Sequence, residues 1–213
     1  MQSYQKDFIE AAVKADALCF GSFTLKSGRI SPYFFNAGKF YQASSLSVLA
    51  KSYAQALYQS GLDCDVLFGP AYKGISLAAL TAAAYYDLYG KELEVTYNRK
   101  EKKGHGEGGV LVGAPLAGKK VVVVDDVITA GTAIREVADI LQSEGADLTG
   151  VLIGLNRKER GQGELSAVEE VERDLSAKVS SIISLDHIEK YLASSGDEAL
   201  LSSVKGYRKQ YAV

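Results

Sequence analysis

Two adjacent carboxylates, Asp125 and Asp126, follow four consecutive valines, Val121 to Val124, and precede the small-residue turn Thr129-Ala130-Gly131-Thr132. Four β-branched apolar residues in a row suit a strand covered on both faces in a parallel sheet. Open α/β sheets gather their ligands at the carboxyl ends of such strands, which is where the two acids fall. Carboxylates placed there can accept hydrogen bonds from vicinal hydroxyls such as those of a ribose. The turn that follows has no bulky side chain to keep an anion off its backbone N–H groups. It also opens a helix, whose dipole favours negative charge. The combination describes a grip for a sugar phosphate; an ordinary loop with a threonine N-cap is the plainer alternative. Other nucleotide patterns do not fit, because the Gly spacing of a dinucleotide fingerprint and the Gly-Lys-Ser/Thr triplet of a triphosphate loop are both absent from the sequence.

Three further clusters carry groups able to do chemistry. In Phe68-Gly-Pro-Ala-Tyr-Lys-Gly74, glycines allow close backbone approach and Lys73 offers a cation, which makes a second anion site or simply a turn with an exposed lysine. The stretch Arg99-Lys-Glu-Lys-Lys-Gly-His-Gly-Glu-Gly-Gly109 holds four cationic residues, four glycines and one of the chain's two histidines. A solvated charged hairpin is the bland reading of such a charge run. A lid over a pyrophosphate needs long cations, a group that titrates near neutrality and glycine hinges, and this stretch has all of them. The last cluster, Phe23-Thr-Leu-Lys-Ser-Gly-Arg29 with Ser31-Pro-Tyr-Phe-Phe-Asn36, reads as a hydrophobic hairpin carrying Lys26. The second histidine, His187, stands at a helix start and reads as structural.

Positioning these groups calls for alternating strands and helices. A first amphipathic helix spans Tyr4, Phe8 and Ala12, with Gly21 expected near its exit. A second helix covers 46–58 and closes at Gly61, and a third covers 75–88. Strands are expected at 66–68, 95–98, 121–124, 151–155 and 179–183, with helices at 134–143 and 165–175 and a helix connection near 194–198. The order predicts an α/β fold with a parallel central sheet flanked by helices. With 213 residues the chain suits one α/β domain, given that even 150 residues bury roughly 70% of the unfolded surface. A net charge of −2 and a pI near 5.8 give no overall electrostatic reason to bind nucleic acid or an anionic membrane. Cys19 and Cys64 have no metal-ligand or redox spacing, so a reducing cytoplasm is the expected setting. No leader-like run and no apolar stretch approaching the ~20 residues of a membrane span stands in the sequence, so a soluble, unexported protein is expected.

The 125–133 segment resembles the signature of the type I phosphoribosyltransferases. In that family the acidic pair holds the ribose hydroxyls of 5-phosphoribosyl 1-pyrophosphate (PRPP) and the turn binds its 5′-phosphate. The resemblance therefore implies PRPP contacts at Asp125, Asp126, Val127, Ile128, Thr129, Ala130, Gly131, Thr132 and Ala133. Tyr72 and Lys73 match the family's pyrophosphate loop, which implies a non-proline cis peptide between Ala71 and Tyr72. The glycine-rich stretch is similar to the catalytic loop of orotate phosphoribosyltransferases, with Arg99, Lys100, Lys103, His105 and the Gly106 to Gly109 tail on the pattern. Lys102 stands where a small residue is usual, and Gly104 where an acid is usual. The resemblance places Lys26, with Phe34 and Phe35, against the pyrimidine and adds Lys26 to the PRPP contacts. Arg157, joined by Thr129, then addresses the anionic base, as an arginine fork suits a planar carboxylate. Asn156 precedes it where an Asp is frequent.

The resemblance runs from Tyr4 to the carboxyl-terminal Tyr-Arg-Lys segment, with its motifs in order. It implies one phosphoribosyltransferase domain over 1–213 with a small amino-terminal hood over roughly 1–40. It implies transfer of the phosphoribosyl group of PRPP to orotate, giving orotidine 5′-monophosphate and pyrophosphate in pyrimidine synthesis. Lys103 or His105 would donate a proton to the leaving group, and Asp125 and Asp126 would face the ribose. Mg²⁺ would arrive on PRPP without direct protein ligands. A cytoplasmic homodimer is implied, with loop 99–109 reaching the neighbouring subunit, and neither nucleic acid nor membrane as a partner. Two rivals use the same fold: a PRPP-sensing nucleic-acid regulator, disfavoured by the acidic pI, and a purine phosphoribosyltransferase, disfavoured by the His-bearing loop together with Lys26 and Arg157.

Overall fold

Strand β6 (Lys120–Val127) is where the sequence's valine run ends up, and the four valines of that run divide by parity. Val122 and Val124 enter one core while Val121 and Val123 enter the other, all fully buried. A strand covered on both faces has no polar side to show, which is why the run reads as continuous rather than alternating. The computed structural model describes residues 1–25, 28–103 and 109–213. Among these, β6 lies between β3 (Val66–Gly69) and β7 (Asp147–Asn156) in a six-stranded sheet. From one edge to the other the order is β5 (Gly109–Gly113), β4 (Glu94–Lys103), β3, β6, β7 and β8 (Lys178–Ser184). All neighbours are parallel except β4 and β5, which pair antiparallel.

The two faces carry different helices. Helices α1 (Ser3–Lys14), α2 (Ala43–Ser60), α3 (Lys73–Tyr89), α6 (Leu185–Ser195) and α7 (Glu198–Tyr211) feed one core, through Phe8, Leu49, Tyr53, Leu77, Ile188 and Val204. Helices α4 (Thr132–Ser143) and α5 (Ala167–Leu175) feed the other. Ile134, Val137 and Leu141 are the buried positions of α4, one apolar stripe at helical spacing. Helix α5 opens with a capping box in which Ser166 accepts from the Glu169 N–H and Glu169 reaches back to the Ser166 N–H. His187 does the same work for α6, its Nδ1 accepting from the Ser184 N–H at 3.0 Å, so its expected structural role holds. No helix among the described residues is long and apolar enough to cross a membrane.

Before the main sheet, β1 (Leu18–Thr24) and β2 (Ile30–Phe35) form the expected antiparallel hairpin as a separate two-stranded sheet. Leu18, Tyr33 and Phe35 sink into the same core as α1 and the sheet. Several boundaries differ from the sequence reading, and two have a clear local cause. Helix α1 ends at Lys14, and Gly21 instead lies inside β1 with φ 156°, where the register against β2 slips between Phe20 and Phe23. A glycine at such a slip accommodates the bulge. The strand expected at 95–98 runs on through the cationic stretch to Lys103, because Lys103 finds a ladder partner in Gly109 across the hairpin. Part of the expected lid is therefore an extension of the sheet's edge.

Candidate functional site

At the carboxyl ends of β3 and β6 two strand-to-helix turns stand side by side. The β3 turn is tight because both of its glycines are required. A Cβ on Gly69 would overlap the Gly74 backbone, and one on Gly74 would lie 2.5 Å from Pro70 Cδ and 2.9 Å from the Val124 carbonyl oxygen. The Ala71–Tyr72 peptide is cis, as the family resemblance implies, and the Ala71 N–H donates to Asn98 Oδ1 at 2.9 Å. Asn98 is on β4, so the neighbouring strand holds this turn in place. Lys73, the first residue of α3, donates from Nζ to Asp126 Oδ2 at 2.7 Å. That bond ties the second anion site expected from the sequence to the acidic pair.

Asp126 is 6% exposed and both of its oxygens are engaged, the second by the Val127 N–H at 3.0 Å. Asp125 accepts from the Asp126 N–H at 2.8 Å through Oδ1, and no donor among the described residues reaches its Oδ2. Its backbone carbonyl is fixed by the hydroxyl of buried Tyr53, at 2.9 Å. Burial first, and the adjacent charge of Asp126 second, push the Asp125 carboxyl up to about 6. The pair is thus asymmetric, one carboxylate locked in an ion pair and the other retaining an open acceptor.

The turn after β6 has the shape of an anion nest. Gly131 caps α4 in the left-handed conformation, φ 71°, and Thr129, Ala130, Thr132 and Ala133 are exposed around it while Ile128 is buried. Among the described residues no backbone hydrogen bond outside the regular elements is donated from 129–133. The loop is braced from behind by Arg135, which donates to the Ala130 carbonyl at 2.7 Å and to Asp174 of α5 at 2.8 Å. Arg99 and Lys100 come over from β4. Lys100 Nζ lies 5.0 Å above the ring of Tyr72, and Arg99 Nη1 is buried with no hydrogen-bond partner among the described residues. Charged donors left in that condition are costly unless an anion completes them.

The expected base-side residues separate. Lys26 and His105 lie outside the described residues, as does Gly104, and of Lys103 only the backbone position at the end of β4 is described. Phe34 is 40% exposed and stacks on Phe23 at 5.7 Å, whereas Phe35 is buried against Phe8 at 6.0 Å. Of the two phenylalanines, then, Phe34 alone presents its ring at the surface. Arg157, following β7, meets the hairpin through Tyr33, its Cζ 5.1 Å from that ring. Asn156 does not support it; its Oδ1 accepts from the Lys158 N–H at 2.9 Å. Support comes from Glu159, which takes Arg157 Nε at 2.8 Å. Asn98, Tyr53, Arg135 and Glu159 were not singled out from the sequence. Asn98 adjoins the cationic stretch and Arg135 lies one turn into α4, but nothing local marks Tyr53, whose partner is far along the chain.

A phosphoribosyl transferase domain model matches residues 37–190. The orotate phosphoribosyltransferase of Saccharophagus degradans is 56% identical over 213 residues, covering 100% of both chains. That of Cellvibrio japonicus is 58% identical over 214 residues, covering 100% of this chain and 99% of its own. The crystal structure of orotate phosphoribosyltransferase from Francisella tularensis superposes with TM-score 0.88 at 40% identity, covering 97% of this chain and 99% of that one. A Mycobacterium tuberculosis orotate phosphoribosyltransferase solved with PRPP has the same fold, with TM-score 0.63 at 20% identity over 85% of this chain and 98% of that one. With two strand-to-helix turns flanking an acidic pair, and with full-length relatives of this similarity, the chain belongs to the orotate phosphoribosyltransferase family.

Proposed function

We propose that this chain transfers the 5-phosphoribosyl group of PRPP to orotate, releasing pyrophosphate and forming orotidine 5′-monophosphate. The observation that supports the reading is the 2.7 Å bond between Lys73 and Asp126, which ties the lysine-bearing turn after β3 to the acidic pair after β6. The nest at 129–133 takes the 5′-phosphate, with Val127 and Ile128 leading the backbone into it. Asp125 receives a ribose hydroxyl on its open oxygen and, with Asp126, faces the positive charge that grows on the sugar as the anomeric bond breaks. Tyr72, Lys73, Arg99 and Lys100 face the pyrophosphate, and the unpartnered Arg99 Nη1 is a donor that its oxygens would satisfy. Positioning and charge stabilisation do most of the work in such a transfer. Lys103 or His105 protonates the leaving group. Lys26, Phe34, Thr129 and Arg157 address the base, while Phe35 belongs to the core.

Mg²⁺ fits this donor set as an ion bound to the pyrophosphate. Asp125 and Asp126 are hard oxygen donors close to the β3 turn, suited to hold its waters, and Mg²⁺ keeps several waters when it binds phosphates. When bound it neutralises charge on the leaving group. A homodimer with loop 99–109 completing the neighbour's site belongs to the same reading, and exposed Tyr86 and Leu88 of α3 are apolar surface for a second copy to cover. Orotate consumption followed spectrophotometrically with PRPP and Mg²⁺, beside uracil, adenine and hypoxanthine, tests the assignment. Turnover of orotate alone is the expected result, and faster turnover of a purine base overturns it.

A further inference from the structure

Glu159 stands at the meeting point of three elements and holds a single oxygen against several donors. Its Oε1 accepts from Arg157 Nε at 2.8 Å, from the hydroxyl of Tyr207 of α7 at 2.9 Å, and lies 3.5 Å from the hydroxyl of Tyr33 of β2. Arg157 Nη2 is 2.7 Å from the same oxygen but off the hydrogen-bond direction, so it makes an ion contact and has no hydrogen-bond partner among the described residues. Both side chains are largely buried, Arg157 13% and Glu159 14% exposed. Arg29 adds a second guanidinium 3.5 Å from Glu159 Oε2, over the ring of Tyr211.

A lone pair of buried opposite charges would be spent on itself. Here two guanidinium groups share one carboxylate, which leaves one positive charge in excess in a largely dehydrated setting. Glu159 occupies the Nε side of the Arg157 fork, while Tyr33 packs against its plane. The terminal amino edge is thereby held in one orientation with donor capacity left over, the form in which an arginine accepts a planar carboxylate. Burial without that brace would leave the long side chain free to change rotamer, and ordering it at the moment of binding costs affinity.

We infer that Glu159 is a positioning residue for base recognition, clamped by Tyr207 so that the carboxyl-terminal helix sets the aim of Arg157 at the substrate's carboxylate. The tail of α7 reinforces this placement, since the Arg160 N–H donates to the Tyr211 carbonyl at 2.9 Å and the Val213 N–H to that of Lys158 at 3.0 Å. This inference rests on the reading of Arg157 as the orotate-binding arginine. Glu159→Gln keeps the shape and an acceptor while removing the charge that holds the fork. Its expected effect is an orotate KM raised about 10- to 100-fold, the loss of one charge-assisted hydrogen bond, with the PRPP KM and the unfolding midpoint nearly unchanged. Tyr207→Phe removes one donor and keeps the ring, and should raise the orotate KM a few-fold. Arg157→Ala is the control. If Arg157→Ala raises the orotate KM and neither Glu159→Gln nor Tyr207→Phe does, positioning by Glu159 is wrong while the base pocket stands. If Arg157→Ala leaves the orotate KM unchanged, the base-pocket reading itself falls and takes this inference with it. Equal rises in the PRPP and orotate KM of Glu159→Gln, with a lowered unfolding midpoint, assign Glu159 to the fold alone.

Discussion

Asp125 and Asp126 are chemically identical neighbours, and the fold makes them different. Lys73 neutralises Asp126 at 2.7 Å, whereas Asp125 keeps an open oxygen and its carboxyl rises to about 6 through burial and the charge beside it. A carboxyl whose folded pKa lies above its unfolded value contributes stability at low pH and loses it as pH climbs through the folded value. Asp125→Asn removes the charge that the fold resists, so unfolding should occur at higher urea at pH 8 than in the unsubstituted chain. The gain is at most about 3 kcal/mol and fades only below about pH 4, as Asp125 becomes protonated in the unfolded chain as well; equal urea midpoints at pH 8 would show that Asp125 ionises without penalty. The same logic gives a PRPP affinity that falls as pH drops through about 6, since the protonated acid loses an acceptor, and a titration calorimeter reads this directly. The acidic pair was legible because its members are adjacent in sequence, and adjacency survives folding. Tyr53 and Asn98 were not, because each acts across a gap of many residues, 72 for the bond from Tyr53 to Asp125 and 27 for that from Ala71 to Asn98.

Turns between strand and helix set the distances at which those residues work, and they do so by exclusion. At Gly74 a methyl group would press on Pro70, on Gly69 and on the Val124 carbonyl of the adjacent strand. Gly74→Ala should therefore destabilise the chain by about 1–3 kcal/mol, as overpacking does, and raise the PRPP KM by opening the seam between the two loops; an unchanged urea midpoint would count against a seam this tight. Gly131→Ala meets a second penalty, since its φ of 71° disfavours any side chain and its Cβ would lie 2.5 Å from Val171 and 2.8 Å from Arg135 Nη1. Strand and helix positions were largely legible, since the valine run and the helical spacing of Tyr4, Phe8 and Ala12 are local signals that tertiary packing reinforced; the Ser166 cap of α5 was not read and emerged with the structure. The sheet edge was less so. Charge and glycine content mark 99–109 as a loop, but an antiparallel ladder between β4 and β5 depends on pairing across the hairpin rather than on the residues of either strand alone.

For the molecule as a whole, the open question is whether one chain makes a complete site. The acids, the nest and Lys73 come from β3, β6 and the helices that follow them, all within one rigid α/β frame. The cationic stretch leaves from β4, next to the edge strand β5, where it can serve its own chain or a neighbour's. Chains carrying Lys103→Ala and chains carrying Asp125→Asn with Asp126→Asn should each be inactive; a positioned acid alone is typically worth 10²–10⁴-fold, as an order of magnitude. In the proposed homodimer, chains mixed in equal amounts and allowed to exchange would place one chain of each kind in half of the dimers. If the loop serves the neighbouring subunit, such a heterodimer combines the intact acids of one chain with the intact loop of the other at a single site. About a quarter of the unsubstituted activity then returns, as expected for a symmetric dimer with random pairing. If the loop serves its own chain, every site in every dimer keeps one defect and nothing returns. Verifying exchange by mass spectrometry of the intact dimers makes the absence of recovery decisive against a shared site.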